Sequence, residues 1–186
     1  MCEIIDGKAI AKKIREDVKR EIDVLKKDGI YPKLVAVSVG ENPASNVYIK
    51  QQKKNCEKVG INYSLEQLPE NSTEKEIISC IEKLNNDDKT TGIILQLPLP
   101  SGIDVKKVQS RISPLKDVEG VNPSNLGWIF YGKPFLAPCT ALAVKEIINY
   151  TGINLYGKEV VMVGHSDIVG KPVALLLVNE FATVSI

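Results

Sequence analysis

Four short stretches of this sequence hold residue types that could do chemistry. Tyr48 and Gln52 are four residues apart, which on a helix puts a phenol and an amide on one face. Gln96-Leu97-Pro98 ends an apolar run, and the Gln96 amide can both donate and accept. Lys116-Asp117-Val118-Glu119-Gly120 offers carboxylates that could take two parallel N–H bonds from a planar ligand edge. Gly164-His165-Ser166-Asp167-Ile168-Val169-Gly170 lies between an apolar strand and an apolar helix, where a helix N-terminus aims unpaired N–H groups at a phosphate. Two better-known motifs fail there. Gly-x-Gly-x-x-Gly is broken by Ser166, and a P-loop is excluded because Gly170 comes one residue late and Pro172 stands where a magnesium-binding hydroxyl belongs. Taken singly, each stretch also has an ordinary reading: a half-exposed helical pair, a strand-end glutamine, solvated acids in a loop, and a plain glycine turn with His165 at the surface.

The elements that must hold these residues alternate. Ile10, Ile14, Val18, Ile22 and Leu25 recur at helical spacing up to Asp28-Gly29, and Leu34 to Val39 reads as a strand. Asn42-Pro43 is a cap followed by a proline in the first turn, predicting a helix from Pro43 to Val59 that carries Tyr48 and Gln52. Ile61 to Leu68 alternates as a strand, Thr73-Glu74-Lys75-Glu76 fits a capping box, and Gly92 to Leu97 is another strand with Gln96 at its carboxyl end. A short helix is expected from Val105 to Ile112, then irregular chain from Ser113 to Pro123. Thr140 is expected to cap a helix from Ala141 to Tyr150, Val160 to Val163 to form a strand, Val173 to Phe181 a helix, and Ala182 to Ile186 a second parallel strand. This order predicts an α/β fold: a largely parallel sheet flanked by helices through the first half, then a strand, glycine turn and helix laid out as the first unit of a dinucleotide-binding domain. One and a half strand-helix units are too few for a doubly wound sheet, so either the chain is a fragment or a partner supplies the remaining surface.

Composition narrows the partners. With 24 basic and 23 acidic residues in 186, neither nucleic acid nor an anionic membrane is expected. No apolar run is long enough to span a bilayer and no signal region precedes Asp6, so a cytoplasmic protein is expected. Cys2, Cys56, Cys80, Cys139 and the single His165 lack metal-ligand spacing; no metal is expected, and the thiols read as reduced and mostly buried.

Five segments together resemble the bifunctional methylenetetrahydrofolate dehydrogenase and methenyltetrahydrofolate cyclohydrolase family, the FolD proteins. They are 39–48, 96–100, 116–120, 138–140 and 164–172, in family order and spacing, and the likeness runs through essentially the whole chain. The resemblance implies a folate site built from Tyr48, Gln96, Leu97, Pro98 and Glu119, with Tyr48, Gln52, Gln96 and Glu119 as the catalytic set. It implies an N-terminal three-layer α/β domain over residues 1–138 that binds folate and is catalytic, then over 139–186 a linking helix and the first part of a Rossmann-type NAD(P)-binding domain. It also implies NADP or NAD held at Gly164, His165, Ser166, Ile168 and Gly170, tetrahydrofolate as substrate, and a homodimer of the full-length protein.

The sequence departs from the family pattern at three points. The motif has a lysine four residues after its tyrosine, and this chain has Gln52; Lys50, Lys53 and Lys54 point roughly 120° to 200° away from Tyr48, at about 100° per residue. Glu119 stands where an aspartate is usual, with Asp117 as the alternative carboxylate and Gly120 favouring Glu119. His165 stands where many members have an arginine that pairs with the extra phosphate of NADP, which gives NAD more ground. Hydride transfer needs alignment, which an amide permits, whereas hydrolysis needs proton movement, for which an amide has no usable pKa. The expected activity is therefore oxidation of 5,10-methylenetetrahydrofolate by NAD(P)+, with a weak or absent cyclohydrolase step. The alternatives are the full bifunctional enzyme and a folate-binding protein without catalysis.

Overall fold

The computed structural model describes residues 4–186, so Cys2 lies outside the described residues. They form two compact units, one spanning Lys8–Asp117 and one built from Val118–Ile186 and the segment ending at Gly7.

The first unit follows the expected order: α1 (Gly7–Lys27), β1 (Lys33–Val39), α2 (Pro43–Val59), β2 (Asn62–Leu68), α3 (Glu74–Asn85), β3 (Gly92–Leu95) and α4 (Val105–Gln109). The strands make one parallel sheet in the order β2-β1-β3. Strand alternation sends Val35, Val37, Val39, Ile93 and Leu95 to one face, where they pack with Ile77, Ile81 and Leu84 of α3 and with Val108 and Ile112. Ile77 and Ile81 are fully buried, and burying each contributes about 1.5–3 kcal/mol. The capping box is present: the Thr73 hydroxyl accepts from Glu76 N, and the Glu76 carboxylate accepts from Thr73 N.

The opposite parity decides where the polar residues go. Leu34 pairs with Tyr63, Ala36 with Leu65 and Ser38 with Gln67 on β2, while Ala36 pairs with Ile94 on β3. Those side chains, and Gln96 two residues on, therefore face α2 rather than α3. Past β3 the chain returns along its edge: Ile93 N donates to Lys116 O at 2.8 Å, and Ile93 bridges Asp117 in parallel. The return positions Lys116, whose Nζ donates to the carbonyls of Leu84 (3.1 Å), Asn85 (2.8 Å) and Asp87 (2.9 Å). These carbonyls lie at and just past the C-terminal end of α3, where a cation is favoured.

In the second unit α5 (Pro123–Phe130), α6 (Cys139–Tyr150) and α7 (Gly170–Val178) accompany a parallel pair, β4 (Glu159–Val161) and β5 (Thr183–Ser185). Its core contains Ile129, Ala137, Ala141, Val173, Leu176, Leu177 and Ala182; Ile129 and Ala137 precede the boundary expected at 138. Three local expectations are corrected. Helix α5 was not anticipated, although Asn122 caps it by accepting from Ser124 N and Pro123 lies in its first turn. Thr140 is inside α6, not its cap, because the helix begins at Cys139 directly after Pro138. Helix α7 starts at Gly170, three residues early, and ends before Phe181, whose φ of 62° is incompatible with a right-handed helix. The thiols also divide: Cys56 is buried, Cys80 partly so, and Cys139 is exposed. Among the described residues no helix is long and apolar enough to cross a membrane.

Candidate functional site

Helix α2 turns one stripe toward the sheet: Ser45, Ile49, Cys56 and Val59 are each 7% exposed, and half-buried Gln52 falls in the same row. The spacing of three and four is that of a core-facing helical stripe. Gln52 is thus an amide within an otherwise largely apolar row, and a buried amide must find partners. It does so through its oxygen. Gln96 Nε2 donates to Gln52 Oε1 at 2.9 Å, and the Tyr63 hydroxyl donates to the same oxygen at 3.2 Å. Among the described residues the Gln52 Nε2 has no acceptor, so the free end of the amide is its donor end. Gln96 is itself buried, and its backbone N–H donates to Val37 O at 2.8 Å, fixing it at the carboxyl end of the sheet.

Tyr48 lies one turn before Gln52 and is 62% exposed. Lys50, Lys53 and Lys54 are exposed, away from the row that holds Gln52, so none of them takes up that position. The start of α2 is tied to the Gln96 loop: Ser45 Oγ donates to Leu97 O at 2.9 Å, and Ser45 N donates to Asn42 Oδ1 at 3.2 Å. Leu97 is partly exposed, and the Leu97–Pro98 peptide bond is cis. The structure thus brings Gln52 and Gln96 together and keeps Tyr48 on the neighbouring exposed surface. Two participants were not anticipated. Ser45 lies inside a recognised segment but was not singled out. Tyr63 was hidden because its direction depends on pairing with Leu34, which no local pattern displays. Burial, and to a lesser degree the nearby Cys56, pushes the Tyr63 hydroxyl up to about 12, so it stays protonated. An open depression of about 470 Å³ lies beyond the ends of β1 and β2, lined by Gly40, Glu41, Gln67, Leu68, Pro69 and Glu70. It shares no residue with the amide cluster.

In the second unit Glu119 is half-buried and precedes Gly120, which has φ 66°. A Cβ on Gly120 would stand 2.3 Å from the carbonyl carbon of Ala137, so only glycine lets these backbones approach. Cys139 Sγ donates to Val118 O at 3.3 Å across the same junction. Asp117, the alternative carboxylate, is fully buried in the first unit.

The glycine turn ahead of α7 is also built on close approach. Gly164 has φ 116° with open space where a Cβ would stand, and a Cβ on Gly170 would stand 2.0 Å from Gly164 O. Ser166 Oγ accepts from Val169 N (3.2 Å) and Gly170 N (3.3 Å), so the chain itself occupies two N-terminal donors of α7. His165, Ser166 and Ile168 are exposed on this turn.

A parallel α/β unit with a polar cluster at its carboxyl edge, followed by a parallel strand pair with a glycine turn ahead of a helix, makes this a two-part α/β protein. Residues 5–119 match the tetrahydrofolate dehydrogenase/cyclohydrolase catalytic domain, and residues 138–186 match the NAD(P)-binding domain of the same proteins. The chain belongs to the tetrahydrofolate dehydrogenase/cyclohydrolase family. It is 48% identical over 186 residues to the bifunctional protein FolD of Geotalea daltonii, covering all of this chain and 66% of that relative. The crystal structure of the Campylobacter jejuni FolD bifunctional enzyme superposes with a TM-score of 0.94 at 42% identity, over 97% of this chain and 64% of that one. The Trypanosoma brucei FolD structure, complexed with NADP cofactor and inhibitor, gives 0.92 at 35% identity, over 99% and 63%. The chain therefore spans about two thirds of the length of the relatives it matches.

Proposed function

We propose that this chain carries the folate site and the cofactor turn of an enzyme that oxidises 5,10-methylenetetrahydrofolate to 5,10-methenyltetrahydrofolate, and that its hydrolytic step to 10-formyltetrahydrofolate is weak. The observation that carries the second half is the Gln52 amide, its oxygen engaged by Gln96 and Tyr63. Tyr48 would flank the pterin, Gln96, Leu97 and Pro98 would wall the site, and Glu119 would accept from the aminopyrimidine edge. Hydride removal leaves a cation on the one-carbon bridge, and this step asks the protein only for alignment and tolerance of that charge. Hydrolysis asks more, since a proton must leave water and another must reach a ring nitrogen. An amide held by two donors performs neither transfer, and a missing general acid or base costs about a hundred- to ten-thousand-fold.

NAD or NADP, when bound, accepts the hydride. Gly164, His165, Ser166, Ile168 and Gly170 would hold it on an exposed turn that leaves open space at Gly164, with the N–H groups of Val169, Gly170 and Lys171 already bonded to Ser166. His165, lacking the fixed charge of an arginine, favours NAD over NADP. Tetrahydrofolate as substrate and a homodimeric intact protein complete the reading.

The test is Gln52→Lys in the intact protein, with NAD(P)H formation and methenyl hydrolysis assayed separately. Hydrolysis should rise about a hundredfold or more while hydride transfer stays within the same order; an unchanged hydrolytic rate refutes the role given to Gln52. The second reading, a fully bifunctional enzyme, is favoured by the likeness to the bifunctional FolD protein of Geotalea daltonii. Comparable rates of both steps in the unaltered protein would establish it.

A further inference from the structure

Where the family resemblance implies a group that can only donate hydrogen bonds, Gln52 offers one that can donate or accept, depending on which way its amide is turned. Two donors fix that choice. Gln96 Nε2 reaches Gln52 Oε1 at 2.9 Å and the Tyr63 hydroxyl reaches it at 3.2 Å, which uses both lone pairs of the oxygen. Gln96 alone could not enforce the orientation, because its own amide has an acceptor end, and a paired flip of both amides would preserve their mutual bond. The phenol biases the choice, because a phenol hydroxyl donates more readily than its oxygen accepts. It comes from β2, eleven residues along from Gln52, and reaches α2 because the Leu34–Tyr63 register turns it to that face. Half-buried and protonated, it keeps the hydrogen it donates to Gln52.

We propose that Tyr63 is a positioning residue: its hydroxyl fixes the Gln52 amide oxygen inward, so that Gln52 presents its NH2 to the bound folate as a neutral, donor-only stand-in for an ammonium group. The inference rests on the reading above that Gln52 faces the reacting end of the folate. It explains how a site could keep the alignment a donor supplies while giving up the proton that a titrating group supplies. Tyr63 then acts through Gln52, not on the substrate.

The experiment is a double-mutant cycle in the intact protein, reading the rate of NAD(P)H formation from methylenetetrahydrofolate. Tyr63→Phe removes one oxygen and should lower kcat/KM for the folate about three- to tenfold, the worth of one hydrogen bond. The KM for the nicotinamide cofactor should stay the same. In a Gln52→Lys background the same Tyr63→Phe change should cost less than about twofold, since an ammonium has no acceptor end to be turned inward. A merely structural phenol would cost the same in both backgrounds, and that result overturns the proposal, as does a Tyr63→Phe protein with unaltered kcat/KM. Gln52→Leu separates the two levels: if it leaves hydride transfer unaffected, Gln52 is away from the reacting centre and both readings fall. If Gln52→Leu is damaging and Tyr63→Phe is silent, only the role of Tyr63 falls. Urea unfolding of each variant confirms that the compared proteins are folded.

Discussion

Replacing Gly120 with alanine sets two costs on one atom, and a second glycine separates them. Gly120 has φ 66° and Gly152 has φ 70°, and both belong to the unit that ends at Ile186. A side chain in this left-handed region costs about 1–2 kcal/mol wherever it occurs. At Gly152 nothing lies within 4 Å of the added carbon, so Gly152→Ala should cost that amount and no more. At Gly120 the added carbon would stand 2.3 Å from the Ala137 carbonyl carbon and 2.6 Å from its oxygen. Ordinary contact between carbons is about 3.5–4.0 Å, so the strands of backbone around 118–120 and 137–139 must part by more than an ångström. Forcing an extra group into packed space costs about 1–3 kcal/mol, which brings Gly120→Ala to about 2–5 kcal/mol in all. Urea unfolding of the intact protein at equal slope measures the difference. Equal destabilisation by the two alanines would refute the reasoning, because the close approach at Ala137 would then contribute nothing. Since Glu119 is next to Gly120, the variant should also weaken folate binding more than Gly152→Ala does.

Lys116→Met removes the donor shared by the carbonyls of Leu84, Asn85 and Asp87; it should cost about 1–3 kcal/mol, with faster amide exchange at the end of α3 as the check. Backbone and hydroxyl hydrogen bonds from Thr73 hold the Glu76 carboxyl below the usual glutamate range. Its stabilising share is therefore present above the unfolded value and lost as pH falls through the lowered folded one. Thr73→Ala should flatten the acid limb of a stability-against-pH curve below about pH 4.3, and an unchanged limb would dismiss the capping box as a source of acid sensitivity. Gln52→Lys should restore hydrolysis, and Tyr63→Phe should slow hydride transfer only while Gln52 is present, each measured as described above.

Local signals carried the first unit well. Asn42-Pro43 marked the start of α2, and Thr73 with Glu76 marked that of α3, because a cap is set by residues three or four apart. The same signal, Asn122-Pro123, opens α5, which lies just past the stretch read as irregular chain. The Gln52–Gln96 pairing was legible in part, as a strand-end amide able to reach the helix. Tyr63 was not, because its side of the sheet follows from a register between β1 and β2 that only the folded chain defines. Glu119 and the Gly164 turn were legible as residue types, but the contact of Gly120 with Ala137 and the capping of α7 by Ser166 are distances, and no spacing reports them.

The hydroxyl of Ser45, seated on the carbonyl of Leu97, makes the head of the long second helix and the bend after the third strand one mechanical piece. Moving one without the other breaks that bond, so the segments that carry Gln52 and Gln96 are joined twice, once through this backbone carbonyl and once through the two amides.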